Sequence, residues 1–179
     1  MLNEAQRARL LRVARESIAR HVHGEPPVPY VDDMPGASGV FVTIKRDGSL
    51  RGCLGVLEMR GTLVEEVARC ARDSATQDPR FPPMTPGELT DMSVDISVLG
   101  PLEEIDPRDD HALALGRHGL VVEDGWRRGL LLPQVAIEWG WTREQFLRQT
   151  CRKASLPEDA WRTGARVFRF DAQVFGDGE

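Results

Sequence analysis

Leu50-Arg51-Gly52-Cys53-Leu54-Gly55 brings a thiol, a guanidinium and two glycines into six residues. Side chains alternate faces along a strand, so Arg51 and Cys53 point the same way, with Cα atoms roughly 6.5–7 Å apart. A guanidinium that close favours the thiolate, the reactive form of cysteine. Glycines in a strand weaken it unless something approaches the backbone closely, so Gly52 and Gly55 would leave N–H groups open to a ligand. The plainer alternative makes Cys53 a small core residue and the glycines a relief of crowding or a bulge. Further along stands Asp78-Pro79-Arg80-Phe81-Pro82-Pro83. Proline fixes the backbone there, so Asp78 and Arg80 are presented with little freedom. Asp78 would orient a base and Arg80 would take a carboxylate or phosphate; alternatively, the two lock a turn by pairing with each other. His118, one of four histidines, is the candidate base for a Cys53 nucleophile. Its alternative role is to fix the turn at Gly119.

The hexapeptide needs a hairpin to hold it. Gly39 to Lys45 reads as a strand, Asp47-Gly48 as a tight turn, and Leu50 onward as the returning strand. A two-residue loop pairs Lys45 with Leu50 and Val42 with Cys53, which puts the thiol on an apolar face. A three-residue loop pairs Thr43 with Cys53 and Lys45 with Arg51, a wetter face. A slip of one residue exchanges the two, and both remain open.

The flanking elements follow from caps and periodicity. Asn3 with Gln6, Thr62 with Glu65, and Thr142 with Gln145 are capping boxes opening helices; Thr85 with Glu88 opens one short turn. Leu10, Leu11, Ala14, Ile18 and Val22 form one apolar stripe that ends at Gly24. Met92 to Val98 alternates as a half-buried strand. Asp106-Pro107 is expected to start a helix that closes at Gly116. A second hairpin turns at Asp124-Gly125, Pro133 opens a helix that ends at Gly140, and a last strand runs from Arg166 to Phe175. Asp177 to Glu179 is expected to fray. Helices and hairpins mixed without strand–helix–strand alternation indicate α+β, mainly antiparallel sheets flanked by helices.

Bulk properties exclude several classes. The chain has 179 residues, a net charge of −5 and 41 % apolar residues, with a pI near 5.5. That argues against nucleic-acid binding, which usually shows a basic surface. No apolar run approaches the roughly 20 residues a membrane crossing needs. Cys53, Cys70 and Cys151 lie far apart. They make neither a disulfide framework nor a metal site and suit a reducing cytoplasm. No motif identifies a cofactor.

Several segments together resemble one family. They are Gly39–Lys45 with the hexapeptide, Asp78-Pro79-Arg80-Phe81, Val98-Leu99, His118-Gly119-Leu120, the run from Arg128 to Val135 that includes Gln134, Gly140-Trp141, and Cys151-Arg152-Lys153-Ala154. The family is the AMMECR-type domain, whose bacterial and archaeal members are called AmmeMemoRadiSam system protein A. The resemblance spans roughly residues 5–175. It departs at Ser155, where the family usually has glycine, which puts the local helix-end geometry in question. It implies one domain over 1–179, built of two closely packed sub-domains, with the hexapeptide at a shared cleft. Gln134 and Trp141 then join Arg51, Gly52, Gly55, Asp78 and Arg80 as ligand-binding candidates. It also implies company with a Memo-like metal-site protein and a radical SAM enzyme. No reaction follows from it. The first function considered is a ligand- or partner-binding module taking a small anion or peptide, with tryptophans as apolar walls. The other is a cysteine-dependent enzyme using Cys53, Arg51 and His118.

Overall fold

The computed structural model describes residues 1–178, which form an α+β fold of two compact units. The first comprises Met1–Leu99 and the chain end from Gln173; the second comprises Gly100–Ala172. In the first unit, α1 (Glu4–Val22) and α2 (Leu63–Thr76) accompany β1 (Gly39–Arg46), β2 (Ser49–Val56) and β3 (Met92–Leu99). β1 lies between β2 and β3 and pairs antiparallel with both, leaving β2 at the edge. Alternation along β1 sorts its residues. Val40, Val42 and Ile44 are fully buried in one core with Leu10 and Ile18 of α1 and Val64, Val67 and Ala71 of α2. Each of these valine, leucine and isoleucine side chains contributes about 1.5–3 kcal/mol by leaving water, and together they fix which face of the sheet meets the helices. Phe41, Thr43 and Lys45 occupy the other face, half-buried.

The capping boxes of α1, α2 and the helix that Thr142 opens form as expected, and Pro86–Thr90 makes a single 3-10 turn. The chain end is pinned, contrary to the fraying expected of Asp177. Its carboxylate accepts the Val94 N–H at 2.8 Å and pairs with Arg15, because the last strand delivers it beside β3. Glu179 lies outside the described residues.

The second unit contains β4 (Glu103–Glu104), β5 (His118–Asp124), β6 (Arg127–Leu131), α3 (Pro133–Glu138) and α4 (Arg143–Lys153). β7 (Arg166–Gly176) pairs with β5 and β4 here, and its last residues belong to the first unit. Leu120, Val122 and Val167 share a core with Phe146, Leu147 and Cys151 of α4. The helix expected from Asp106 to Gly116 is absent; turns replace it. Asp106 Oδ1 accepts the N–H of Arg108 and Asp109 Oδ1 that of His111. Such local side-chain bonds offer the backbone an alternative to the helix. Asp124 pairs with Arg127, so the second hairpin turns on Gly125-Trp126, one residue later than expected. Ser155 follows α4 at φ 60°, and Leu156 N–H returns to Cys151 O at 3.0 Å. The glycine-type helix end is therefore kept, with serine in the left-handed region that glycine occupies at least cost.

Candidate functional site

The site is built on the edge strand of the first unit. Asp47 (φ 50°) and Gly48 (φ 74°) form a two-residue turn of the primed type, pairing Lys45 with Leu50. The register then shifts between Ile44 and Lys45, so that Ile44 faces Gly52 and Thr43 faces Cys53. Both registers read from the sequence are thus present, the first at the hairpin tip and the second beyond a bulge at Arg51. The bulge places Cys53 on the wetter outer face.

Gly52 explains why the strand can sit where it does. A Cβ there would stand 2.0 Å from the Ser74 carbonyl oxygen, so α2 approaches to backbone contact. Ser74 Oγ accepts from Leu54 N–H at 2.9 Å and donates to Val42 O at 2.8 Å. Gly55 similarly makes room for the Phe41 ring, 2.4 Å from where its Cβ would be. The glycines expected to open backbone to a ligand serve packing on these sides instead.

Four residues past Ser74, just beyond the end of α2, comes Asp78, whose residue is 4 % exposed. Its Oδ2 accepts the Cys53 N–H at 3.0 Å and Arg80 Nη2 at 2.8 Å. Its Oδ1 accepts Arg80 N–H and Nε, both at 3.0 Å. The Arg80 bonds first, then those from the backbone, hold this carboxyl far below the usual carboxylate range. Asp78 therefore ties the edge strand to the proline loop and holds the Arg80 guanidinium by one edge. The Arg80 side chain remains 56 % exposed. Its own pKa is raised, by Asp78 first, and Asp78 Oδ2, shared by the Cys53 N–H and Arg80 Nη2, links the two residues. Cys53 itself is half-buried, with Sγ 3.2 Å from Thr43 Oγ1. The other two thiols are buried; burial pushes Cys70 up to about 11 and raises Cys151.

Arg51 does not serve as the thiol's neighbouring cation. Its Nε and Nη2 fork onto Glu88 at 2.9 and 3.2 Å, and Nη2 also donates to Pro82 O at 2.8 Å. Glu88 accepts Arg46 Nη1 at 3.0 Å as well; the Arg51 bonds are the main reason its carboxyl drops to about 2. Arg51 and Arg80 flank the Phe81 ring, at 5.9 and 5.6 Å from its centroid. Arg51 is thus a brace for the loop, and Arg80 is the cation offered to solvent.

In the second unit, His118 is 6 % exposed and its Nδ1 accepts the Ala114 N–H at 3.0 Å. Burial lowers its pKa first, so the neutral ring carries its proton on Nε2, 3.8 Å from Asp171 Oδ1. A neutral imidazole has one acceptor nitrogen, and here the backbone occupies it. The expected general base is a turn-fixing residue in this arrangement. Gln134 lies half-buried near the start of α3. Trp141 stacks on Trp139, centroids 6.2 Å apart, and tilts against Phe146, which makes it a wall of the second core.

The structure therefore brings Arg51, Gly52, Cys53, Gly55, Asp78 and Arg80 together in the first unit and places His118, Gln134 and Trp141 in the second. Sequence reasoning missed Thr43 and Glu88 as site residues. Thr43 was reachable through the second of the two registers; Glu88 carried only its capping signal. Among the described residues, no group of three or more His, Cys, Asp or Glu could hold a metal ion. Among the described residues, no helix is long and apolar enough to cross a membrane.

A profile described as AMMECR1 matches residues 11–175. A protein of Methanothermobacter thermautotrophicus is 46 % identical over 175 residues, covering 93 % of this chain and 91 % of that one. Protein PH0010 of Pyrococcus horikoshii is 41 % identical, over 93 % of this chain and 87 % of its own. The crystal structure of that uncharacterized protein superposes with a TM-score of 0.87 at 38 % identity, covering 99 % and 94 % of the two chains.

Proposed function

This chain belongs to the AMMECR1 family, and from that premise we propose that its first unit is a ligand-binding module centred on Arg80 and Cys53. One observation carries the reading. Asp78 takes the Nε–Nη2 edge of Arg80 and leaves the side chain half in solvent. A guanidinium has a second bidentate edge, formed by Nη1 and Nη2, that matches a carboxylate or phosphate. The Cys53 thiol beside it would contact the same ligand. Asp78 offsets the charge of Arg80, so recognition rests on fork geometry and affinity is modest.

The test is a titration of the native protein with acetate and with inorganic phosphate, read by backbone amide shifts at Cys53 and Arg80. Saturable shifts that vanish in Arg80→Ala and weaken in Arg80→Lys support the module. Shifts that persist in Arg80→Ala, or none in the wild type, overturn it.

The cysteine-dependent enzyme is the second reading, favoured by the half-exposed Cys53 thiol. It ranks lower because the nitrogen of His118 that would accept a proton already accepts Ala114 N–H. We further propose a cytoplasmic setting and, by the family resemblance, a Memo-like protein and a radical SAM enzyme as companions. Co-elution with either on gel filtration would support that pairing, and separate elution of both would remove it.

A further inference from the structure

The outer face of the first-unit sheet carries a row of polar side chains that continues from Cys53 across β1 to β3. Thr43 lies directly across from Cys53 on one side and from Asp95 on the other. Directly opposed residues share a face, with Cβ atoms roughly 4.5–5.5 Å apart. Lys45, two residues along β1, pairs with Asp95. The row therefore runs thiol, hydroxyl, carboxylate, with an ammonium on the last. Thr43 is half-buried, and its Oγ1 stands 3.2 Å from Sγ.

We propose that Thr43 is a positioning residue of the Cys53–Arg80 site, its hydroxyl orienting the thiol and donating to the thiolate when the proton leaves. This rests on the ligand-binding reading for the site's purpose, but not for its own test. A threonine in a strand is ordinarily explained by its β-branched shape. That explanation needs only the shape of the side chain, which valine also supplies. The hydroxyl is the part it leaves over, and it points at sulfur. A hydroxyl can donate to an anion or accept from a thiol, so one group serves Cys53 in both protonation states. Hydrogen bonds to the charged form favour it. The charged groups next to Cys53 and along the row are Asp78 and Arg80 from the proline loop, and Lys45 of β1 paired with Asp95 of β3 on the far side of Thr43. None of them changes between threonine and valine.

The experiment is iodoacetamide alkylation of the native full-length protein from pH 6 to 10, with the labelled peptide identified by mass spectrometry. Wild type, Thr43→Val and Thr43→Ser are compared, and thermal melts accompany each. A lost hydrogen bond to a charged group is expected to slow Thr43→Val at pH 7.5 by about fivefold and to move the midpoint of its rate profile upward. Thr43→Ser is expected to stay within about twofold of wild type, with melts unchanged for both. A Thr43→Val profile that superposes on wild type overturns the proposal. Equal slowing of Thr43→Val and Thr43→Ser also overturns it, since keeping the hydroxyl would then make no difference. Thr43→Ala, which lacks both hydroxyl and branch, repeats the measurement should valine not fold. The acetate and phosphate titration on Arg80→Ala decides the ligand reading separately, so either result can fail without the other.

Discussion

Replacing Asp78 by Asn changes one atom of a carboxylate that four donors share. Oδ1 takes two of them and Oδ2 the other two, one of each pair being a backbone N–H. An amide keeps one oxygen. Whichever way it flips, its NH2 faces either the Cys53 N–H with Arg80 Nη2 or the Arg80 N–H with Nε. Two donors then confront a donor. The stranded backbone N–H is in a side-chain environment 2 % exposed, and leaving such a group unmet costs about 1–3 kcal/mol. The lost charge–charge attraction adds little, because Arg80 is more than half exposed and screened. The sum is about 1–3 kcal/mol, which for a chain of this length lowers the melting temperature by roughly 2–12 °C. A pH signature accompanies it. Folding holds this carboxyl below its unfolded value, so its contribution is complete above about pH 4, near an ordinary aspartate's pKa, and is lost as pH falls below that. Asp78→Asn should be less stable than wild type at pH 7, and the gap should narrow toward pH 2. Thermal and urea melts at pH 7, 4 and 2.5 measure both effects. An Asp78→Asn protein that melts with wild type at pH 7, or a gap that does not narrow in acid, would refute the reasoning.

Gly52→Ala places a methyl against the Ser74 backbone carbonyl, which can yield only if α2 moves off the sheet. We expect a loss of about 3 kcal/mol or more in urea unfolding, and a loss below about 1 kcal/mol would contradict the packing described. Ser155→Gly removes a side chain from a residue at φ 60° while keeping the Ser155 carbonyl that accepts Arg127 Nη1. A gain of about 0.5–1 kcal/mol is expected in the same assay; unchanged or reduced stability would show that serine is unstrained there.

What the chain's order of residues determines by itself is local. Asn3 with Gln6, Thr62 with Glu65, and Thr142 with Gln145 announce helices because caps satisfy N–H groups within one turn. Strict alternation through Val40, Val42 and Ile44 marks β1 because a strand has a period of two. The hexapeptide, the Asp78–Phe81 segment and the family resemblance were legible in the same way. Asp106 to Gly116 misled because its aspartates satisfy their own turn, which a helix-start signal does not distinguish.

The site itself needed the tertiary structure. A bulge at Arg51 sets Leu50 and Cys53, three residues apart, opposite Lys45 and Thr43 of the same face, so a period of two could not choose the face on which Cys53 lies. Arg51 finds Glu88 37 residues away, and Cys53 N–H finds Asp78 25 residues away. Long flexible side chains and edge-strand donors take the partner that is nearest in space. Which guanidinium stays open, which histidine nitrogen is occupied and which hydroxyl meets the sulfur are settled only when the packed helices and sheets bring distant segments within hydrogen-bond reach.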